Sequence, residues 1–341
     1  MAHILLTGGT GYIGTHSLVS LYEMGHTAVV YDNLSNSNLN SLDRVENITG
    51  KKTECVVGDI RDLEKLKWLF STHKFDAVIH LAGLKSIGDA IENPIEYFDN
   101  NINGSIQLLK AMKLHKIKKL IFSSSATVYG TPEKLPITEE APIGNSTNPY
   151  GLSKVIIEKL LEETARVDPS WSIITLRYFN PIGAHPSGLI GESYTGSPNN
   201  LLPSILQVAE KKQKKLAIFG GDYHTKDGTG VRDYVHVVDL AKGHIAALNM
   251  CFNRSGEMAI NLGTGSGVSV LELLQTFEKV SGLNISYEIK DRREGDVPVC
   301  YASVDLAKKV LNWSCEYDLE DMCRHAWLWL QNNPNGLRPP L

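Results

Sequence analysis

Short apolar runs rich in β-branched residues alternate with longer helix-like stretches through the first half of the chain. Six runs have the character of strands, at residues 3–8, 27–32, 54–59, 76–83, 119–125 and 172–180. The intervening segments, for instance 89–115 and 150–166, are long enough for helices. Strands that are apolar throughout are typical of burial on both faces, so the pattern predicts an α/β fold with a doubly wound parallel sheet.

The pattern changes after Asn180. Residues 181–200 are rich in Gly, Pro and Ser and show no clear period, which indicates a change of domain. We therefore predict a first domain over 1–180 and a second, smaller mixed α/β domain over 181–341, whose boundary can interleave near 230–250. Helices are expected in the second domain near 201–213, 269–281 and 318–331, with a strand near 216–219.

Composition narrows the class of protein. At 341 residues the chain is longer than a single core usually supports, and its formal net charge of −4 is small. The basic cluster at 211–215 closes an apolar-periodic stretch and is typical of a solvated helix end, so we expect no nucleic-acid partner. Apolar runs stay short of membrane-spanning length, and a strand begins directly after the first residues, which favours a cytoplasmic protein without a membrane partner.

The cysteines fit the same class. There are five, an odd number, and no two have CxxC spacing. This pattern is typical of reduced thiols and predicts neither a disulfide framework nor a metal site.

A glycine-rich stretch, "TGGTGYIG", follows the first predicted strand and leads into an amphipathic segment. Its glycines can be grouped as Gly9, Gly11 and Gly14 or as Gly8, Gly11 and Gly14. Glycines allow a tight turn and let the backbone approach a pyrophosphate, whose charge the helix N-terminus stabilises. The order of strand, glycines and helix therefore predicts a dinucleotide site.

The ends of the next strands refine this prediction. Asp32 ends the second strand, where a carboxylate accepts hydrogen bonds from ribose hydroxyls and repels a 2′-phosphate. Residues 33–38 contain no Arg or Lys that would reverse this preference, so NAD is favoured over NADP. Asp59, Ile60 and residues 81–85 end the third and fourth strands, where a doubly wound sheet has its ligand crevice.

Tyr150 and Lys154 carry the candidate chemistry. Residues four apart lie on one face of a helix. A nearby ammonium and the positive nicotinamide of NAD⁺ stabilise a phenolate and are expected to move the pKa of Tyr150 toward working pH, so that it acts as a base. The strand before this helix ends in a hydroxyl cluster, 123–125, that can hydrogen-bond a sugar hydroxyl.

Several motifs together resemble the UDP-galactose 4-epimerase family of extended short-chain dehydrogenases/reductases. The resemblance covers essentially the whole chain. It rests on "TGGTGYIG", "VVGDIRD", "HLAGLKSIGDA", "SSSATVYG", "NPYGLSK", "LRYFNPIGAHPSGLIGE", "GTGVRDYVHVVDLA" and "REGDVP".

The resemblance implies a set of site residues in a Rossmann-type domain and the domain that follows it. Tyr150 would be the base, Lys154 its activator and Ser125 the bridge between phenol and sugar hydroxyl. NAD would contact Tyr150, Lys154, Gly8, Gly11, Tyr12, Ile13, Gly14, Asp32, Asn33, Leu34, Ser35, Asn36, Ser37, Asp59, Ile60, Leu81, Ala82, Gly83, Lys85, Asn100 and Phe179. The UDP-sugar would contact Lys85, Ser125, Thr127, Tyr150, Asn180, Asn200, Leu201, Ala217, Ile218, Phe219, Arg232, Arg293, Asp296 and Cys300.

The implied reaction removes hydride from the sugar C4 and returns it to the opposite face of a 4-keto intermediate. Arg232 and Arg293 would bind the pyrophosphate, for which a guanidinium fork is suited. The small Cys300 stands where this family carries either tyrosine or a small residue, which implies that N-acetylated UDP-sugars are accepted too. The family also implies a homodimer formed by helices of the first domain.

Two other functions are possible from the residues. A nucleotide-sugar 4,6-dehydratase needs a carboxylate pair directly after Ser125, and this chain has Ala126, Thr127 and Val128 there. A non-catalytic NAD-binding sensor usually lacks the tyrosine or the lysine, and this chain has both. Trapped NADH absorbance near 340 nm on addition of UDP-sugar would distinguish an enzyme from such a sensor.

Overall fold

The computed structural model describes residues 1–193, 198, 200–293 and 295–337. In chain order its strands are β1 (His3–Thr7), β2 (Thr27–Asp32), β3 (Glu54–Val57), β4 (Ala77–His80), β5 (Lys119–Ser125), β6 (Ser172–Tyr178), β7 (Asn180–Ile182), β8 (Leu216–Phe219), β9 (Val231–Arg232), β10 (Tyr234–His236), β11 (Gly256–Leu262), β12 (Val268–Ser269), β13 (Tyr287–Lys290) and β14 (Val299–Cys300). The helices are α1 (Tyr12–Glu23), α2 (Asn40–Thr49), α3 (Leu63–Thr72), α4 (Ile87–Glu92), α5 (Pro94–Phe98), α6 (Gly104–Leu114), α7 (Pro149–Val167), α8 (Leu201–Ala209), α9 (Val237–Phe252), α10 (Val270–Ser281), α11 (Asp305–Leu311) and α12 (Leu319–Asn332).

The largest sheet has seven strands in the order β11-β6-β5-β4-β1-β2-β3. Every neighbouring pair in it is parallel. All six strands predicted for the first half of the chain lie in this sheet, so the predicted α/β fold with a doubly wound parallel sheet is confirmed. Parallel strands place their carboxyl ends at one edge, where ligand sites of such sheets form.

Helices cover both faces of this sheet. Ile4 and Leu6 of β1 pack in the core with α1 and α9, whereas Leu5 packs in the opposite core with α3, α6 and α7. All three side chains are completely buried. Alternate residues of one strand therefore enter two apolar cores, which explains why the strand sequences lack polar alternation.

A separate core lies among α8, α10 and α12, where Leu206, Phe277 and Met322 pack together. Three small sheets accompany it: β10 with β7, β12-β9-β14, and β13 with β8. The division of the chain at residues 180 and 181 stays a prediction. Both α9 and β11 follow residue 180, yet α9 packs on α1 and β11 pairs with β6.

The stretch 89–115, which the sequence offers as helical, is not one regular helix. It is divided among α4, α5, a π-helical turn at Asp99–Asn103 and α6. The break at Asn93 has a local cause, because Pro94 disfavours helical backbone in the residue before it. The π turn contains Asn100 and Asn101, both of which are buried. Among the described residues, no helix has the length and apolar character required to span a membrane.

Candidate active site

The glycine turn connects β1 to α1 and is tightly packed. Gly8 has φ +71°, and a Cβ there would lie 2.7 Å from the backbone nitrogen of Ala82. A Cβ on Gly14 would lie 2.3 Å from the carbonyl oxygen of Gly8. Side chains at these positions would push α1 away from the strand. The turn thus has the shape that a pyrophosphate at a helix N-terminus requires, with Gly11, Tyr12 and Ile13 at the start of α1.

Asp32 lies beside this turn at the end of β2, and its side chain is buried. Its Oδ2 accepts a hydrogen bond from the Thr10 backbone N–H at 3.1 Å, and its Oδ1 accepts from the Leu34 N–H at 2.9 Å. The Ser37 hydroxyl donates to the same Oδ1 at 3.2 Å. These bonds fold the predicted cofactor residues 33–37 around the carboxylate, which is the arrangement that fits an adenosine ribose.

Asp59 and Ile60 follow β3 at the same edge. The Asp59 carboxylate pairs with the Arg61 guanidinium at 2.8 Å, and these hydrogen bonds lower the pKa of Asp59 to about 2. Asp59 therefore remains ionised at neutral pH. Ile60 is buried against Gly104, so its side chain belongs to the core.

The loop after β4 contributes Leu81, Ala82, Gly83 and Lys85. The Leu81 N–H donates to the Thr7 carbonyl at 3.1 Å, and the Ala82 N–H donates to the Thr7 hydroxyl at 3.3 Å, which closes this loop over β1. Lys85 is half exposed and pairs with Glu192 at 3.0 Å. This ion pair links the loop after β4 to the segment after β7.

Helix α7 positions the candidate base through its N-terminal cap. The Asn148 side chain accepts a hydrogen bond from the Gly151 N–H at 2.9 Å, and Pro149 occupies the first helical turn. Both residue types favour a helix start. Tyr150 is therefore held in the first turn of a 19-residue helix, with Lys154 one turn later on the same face.

Lys154 is buried below Tyr150. Its Nζ donates to the Ser123 carbonyl oxygen at 2.8 Å and lies 4.9 Å from the Phe122 ring centroid and 5.9 Å from the Tyr150 ring centroid. Burial lowers the pKa of Lys154 to about 8, and the negative charge of Glu158 opposes this shift. The ammonium is thus close to titrating in the physiological range.

Ser125 ends β5 and faces the phenol. Its hydroxyl accepts hydrogen bonds from the Thr127 N–H at 3.2 Å and from the Thr127 hydroxyl at 3.0 Å. A hydrogen bond between Ser125 and Tyr150 lowers the pKa of the phenol. The three predicted catalytic groups, Ser125, Tyr150 and Lys154, therefore lie together at the carboxyl ends of the strands.

The pKa of Tyr150 differs from the expectation. Burial is the largest influence and raises this pKa above its ordinary value. A phenolate in a desolvated crevice loses hydration, and in the protein alone this outweighs the effect of Ser125. The expected fall toward working pH is therefore not a property of the protein side chains by themselves. The positive charge of a nicotinamide is the additional influence available to lower it.

The predicted substrate residues of the second half form a group around β8, β9 and β14. Arg232 pairs with Asp296 at 3.2 Å, and the Arg293 guanidinium lies 3.9 Å from the Phe219 ring centroid. Cys300 is the register partner of Arg232 in the β14–β9 pair. Both guanidinium groups are thus held by side chains of the same region.

Two contacts join this group to the start of α7 and to the end of the large sheet. A Cβ on Gly295 would lie 3.2 Å from Thr147, which directly precedes the α7 cap. Cys300 packs against the apolar cluster that contains Phe179 and Val128 at the end of the large sheet. The loop that carries Asp296 therefore lies next to the start of α7.

Other predicted substrate residues lie at the starts of β7 and α8 or within β8. Asn180 starts β7, and its N–H donates to the Asp233 carbonyl at 2.9 Å. Asn200 and Leu201 begin α8, and Ile218 is buried in the core of α8, α10 and α12. Ala217 is its neighbour in β8.

Three polar residues near the site escaped the sequence analysis. Asn101 accepts hydrogen bonds from the Leu84 N–H at 2.8 Å and from Asn100, and it donates to the Ser153 hydroxyl at 3.1 Å. Glu158 and Arg177 form a buried ion pair at 2.7 Å. Glu158 could have been noticed, because it continues the four-residue spacing of Tyr150 and Lys154. Within the described ranges, no cluster of three or more His, Cys, Asp or Glu side chains could hold a metal ion.

Comparison with known proteins defines the class. The NAD dependent epimerase/dehydratase family matches residues 4–263, and the chain belongs to this family. It is 54% identical to the UDP-glucose 4-epimerase of Yersinia enterocolitica over 334 residues, which are 98% of each chain. It is 52% identical over 336 residues to the UDP-glucose 4-epimerase of Neisseria meningitidis serogroup C, covering 98% of this chain and 99% of that one.

Solved structures agree with this assignment. A crystal structure of UDP-glucose 4-epimerase from Bifidobacterium longum in complex with NAD⁺ and UDP is similar with a TM-score of 0.95 and 50% identity. The similarity covers 98% of this chain and 99% of that one. The second half of the chain is therefore included in the likeness as well as the first.

Proposed function

We propose that the chain is an NAD-dependent UDP-hexose 4-epimerase that interconverts UDP-galactose and UDP-glucose. The observation that carries this proposal is that Tyr150, Lys154 and Ser125 lie together at the edge of the parallel sheet that also carries the glycine turn. Identity of about half of all residues to UDP-glucose 4-epimerases, over almost the whole chain, supports the same reaction.

Each side chain of the site has a separate role in the proposed reaction. NAD⁺ bound at the glycine turn supplies a hydride acceptor for the sugar C4 and, once reduced, a hydride donor to the 4-keto sugar. Tyr150 takes the proton of the C4 hydroxyl as the carbonyl forms, and gives it back when the carbonyl is reduced. Lys154 stabilises the phenolate by its charge, and Ser125 holds the hydroxyl between sugar and phenol. Electrons and protons therefore balance over one cycle.

The nucleotide end of the substrate is assigned to the second half of the chain. Arg232 and Arg293 are placed by Asp296 and Phe219, and each presents a planar cation of the kind that binds a pyrophosphate. Anchoring the UDP group leaves the sugar free to turn and accept hydride on its other face. Binding energy is then concentrated away from the reacting carbon.

Tyr150→Phe tests the reaction and the base together. The wild-type protein should interconvert UDP-galactose and UDP-glucose. In the variant kcat should fall by about 10²–10⁴-fold, because the proton acceptor is lost, while bound NAD is retained. Tyr287→Phe, on the exposed strand β13, is the matched control and should leave kcat unchanged. Near-normal turnover by Tyr150→Phe would mean that another group is the base.

The substrate range is proposed to include UDP-N-acetylglucosamine and UDP-N-acetylgalactosamine. Cys300 is a small side chain placed between Arg232 and the apolar cluster at Phe179. Burial raises the pKa of its thiol to about 11, so the thiol stays neutral and does no acid–base chemistry near pH 7. Its contribution is its size, which leaves room for the N-acetyl group.

Cys300→Tyr tests this size limit. A tyrosine should fill the space and lower kcat/KM for UDP-N-acetylgalactosamine by about 10-fold or more. UDP-galactose serves as the internal control, and its kcat/KM should change by less than about threefold. Equal turnover of the N-acetylated sugar by wild type and variant would exclude size at position 300 as the determinant.

The protein is further proposed to form a homodimer through α4, α5 and α7. Ile91 and Ile95 have 62% and 83% of their surface exposed, and Leu152 and Ile156 lie exposed one turn apart on α7. Helices α4 and α5 both pack on α7, so these apolar side chains belong to one region. Exposed apolar surface of this kind is typical of a protein–protein interface.

Light scattering tests the dimer. The wild-type mass should be about 75 kDa, twice the 37.6 kDa of the chain. The double variant Ile91→Lys/Ile95→Lys should shift toward the single-chain mass, because burying two ammonium groups in an interface is unfavourable. Met24→Lys, an exposed apolar position at the end of α1, is the control and should remain dimeric. A wild-type mass of one chain would contradict the proposal.

A cytoplasmic location is part of the same proposal. All five cysteines lie within the described residues and carry free thiols. Cys251 and Cys323 are buried in apolar cores, where they pack as small side chains. Free thiols are the expected state in a reducing compartment.

A further inference from the structure

Three consecutive serines of β5 contact one face of α7. Ser125 hydrogen-bonds the phenol of Tyr150, and the Ser123 carbonyl accepts from Lys154 at 2.8 Å. The remaining hydroxyl, that of Ser124, donates to the Glu158 carboxylate. The helix partners are spaced four residues apart, so they form a single row along α7. In addition to the two catalytic members, the row contains the carboxylate of Glu158.

We propose that Glu158 is a positioning residue for the reaction, which locks α7 onto β5 and holds a carboxylate one helical turn from Lys154, on the face of α7 that carries Tyr150. This inference rests on the proposed function, which makes Tyr150 the base. Glu158 itself is buried and acts on the sugar only through Lys154 and the strand.

The ion pair of Glu158 is buried deeply. The Glu158 and Arg177 side chains are 5% and 7% exposed, and Arg177 donates to both carboxylate oxygens. Arg177 is the register partner of Ser124 in the β5–β6 pair. Glu158 therefore binds side chains of two adjacent strands, β5 and β6, next to Ser125.

Stability alone is a weak reason for such a pair. Removing two charges from water costs about as much as their attraction returns, and apolar residues of similar size often serve equally well. A role for the charge itself explains why a carboxylate occupies this position. The carboxylate compensates the buried ammonium one turn away, which burial would otherwise discharge.

The rest of the network holds the pair rigidly. Arg177 also donates to the Tyr129 hydroxyl at 2.9 Å and to the Glu139 carbonyl at 3.1 Å. The Tyr129 hydroxyl donates to Asn261 of β11 at 2.7 Å. A buried polar network with satisfied partners fixes the elements that it joins. Helix α7 is thus tied to β5, β6 and β11.

Several ionisable groups surround Lys154 and Glu158. His80 of β4 lies near Lys154, and its pKa is lowered to about 3, so it is neutral. Burial raises the pKa of Glu257, whose carboxyl group also interacts with Glu158. The neighbouring elements contribute seven titratable or charged groups around the row. These are Tyr97 of α5, His80 of β4, Arg177 and Tyr178 of β6, Glu257 of β11, and Tyr129 and Glu139 in the segment after β5. Glu158 is the group whose charge raises the pKa of Lys154.

Glu158→Gln tests the proposal, because glutamine keeps the size and the acceptor for Ser124 but removes the charge. The first measurement needs no turnover. In protein labelled with ¹³C-lysine, the Lys154 resonance is assigned by its loss in Lys154→Arg and followed with pH. Its midpoint should lie near pH 8 in the wild type. It should fall by about one unit in Glu158→Gln.

The second measurement is the pH dependence of kcat with UDP-galactose. Activity needs the ammonium, so it falls as pH rises through the pKa of Lys154. A lower pKa moves this fall to lower pH, and at pH 8 kcat of Glu158→Gln should be about fivefold below wild type. At pH 6.5 the difference should be about twofold or less, with KM unchanged.

Glu162→Gln is the matched control, because Glu162 lies one turn farther along α7 and is exposed. It should leave both measurements unchanged, and Glu158→Asp, which keeps the charge, should lie closer to wild type than Glu158→Gln. A folded Glu158→Gln protein with a lower melting temperature but an unshifted Lys154 titration would overturn the proposal and leave only a structural role. Absence of turnover in the wild type would instead reject the proposed function, and the lysine titration would still decide the role of Glu158.

Discussion

The burial of one ammonium group is the constraint on which the candidate site depends. Lys154 gives up most of its hydration where β5 and α7 meet, and a buried lysine without partners discharges. The Ser123 carbonyl, the Phe122 ring and the carboxylate one turn along the helix replace the lost water. The position of α7 against the strand therefore has to be held closely, and the buried network around Arg177 does this.

The parallel sheet brings the other groups to the same place. Its carboxyl ends carry the glycine turn, Asp32, the loop at Ala82 and Ser125, although these are far apart in sequence. The second half of the chain adds Arg232 and a small residue at position 300 through a loop that touches the start of α7. The architecture thus separates the groups proposed to carry out hydride and proton transfer from the groups proposed to bind the nucleotide. This separation suits a reaction in which the sugar has to turn while the UDP group stays bound.

The features that the sequence predicts well are those formed by residues close together in the chain. The glycine turn, the strand runs and the spacing of Tyr150 and Lys154 each involve neighbours in the chain, and the strands were recognised by their continuous apolar character. The seventh strand, β11, was missed because its identity depends on pairing with β6, about eighty residues earlier. The Glu158–Arg177 pair was missed because it, too, depends on how two separate elements, α7 and β6, pack together. The pKa direction of Tyr150 depends on burial, which is a property of the folded crevice and not of the motif.

The central claim is that the carbon-bound hydrogen at C4 leaves as hydride to bound NAD⁺ and returns without exchanging with solvent. Epimerisation of UDP-galactose in D₂O, followed by mass spectrometry and NMR of the product hexose, tests this claim most directly. The account predicts UDP-glucose with no deuterium at C4 after many turnovers. Deuterium at that carbon would show that the hydrogen exchanges with solvent as a proton, and would contradict the account.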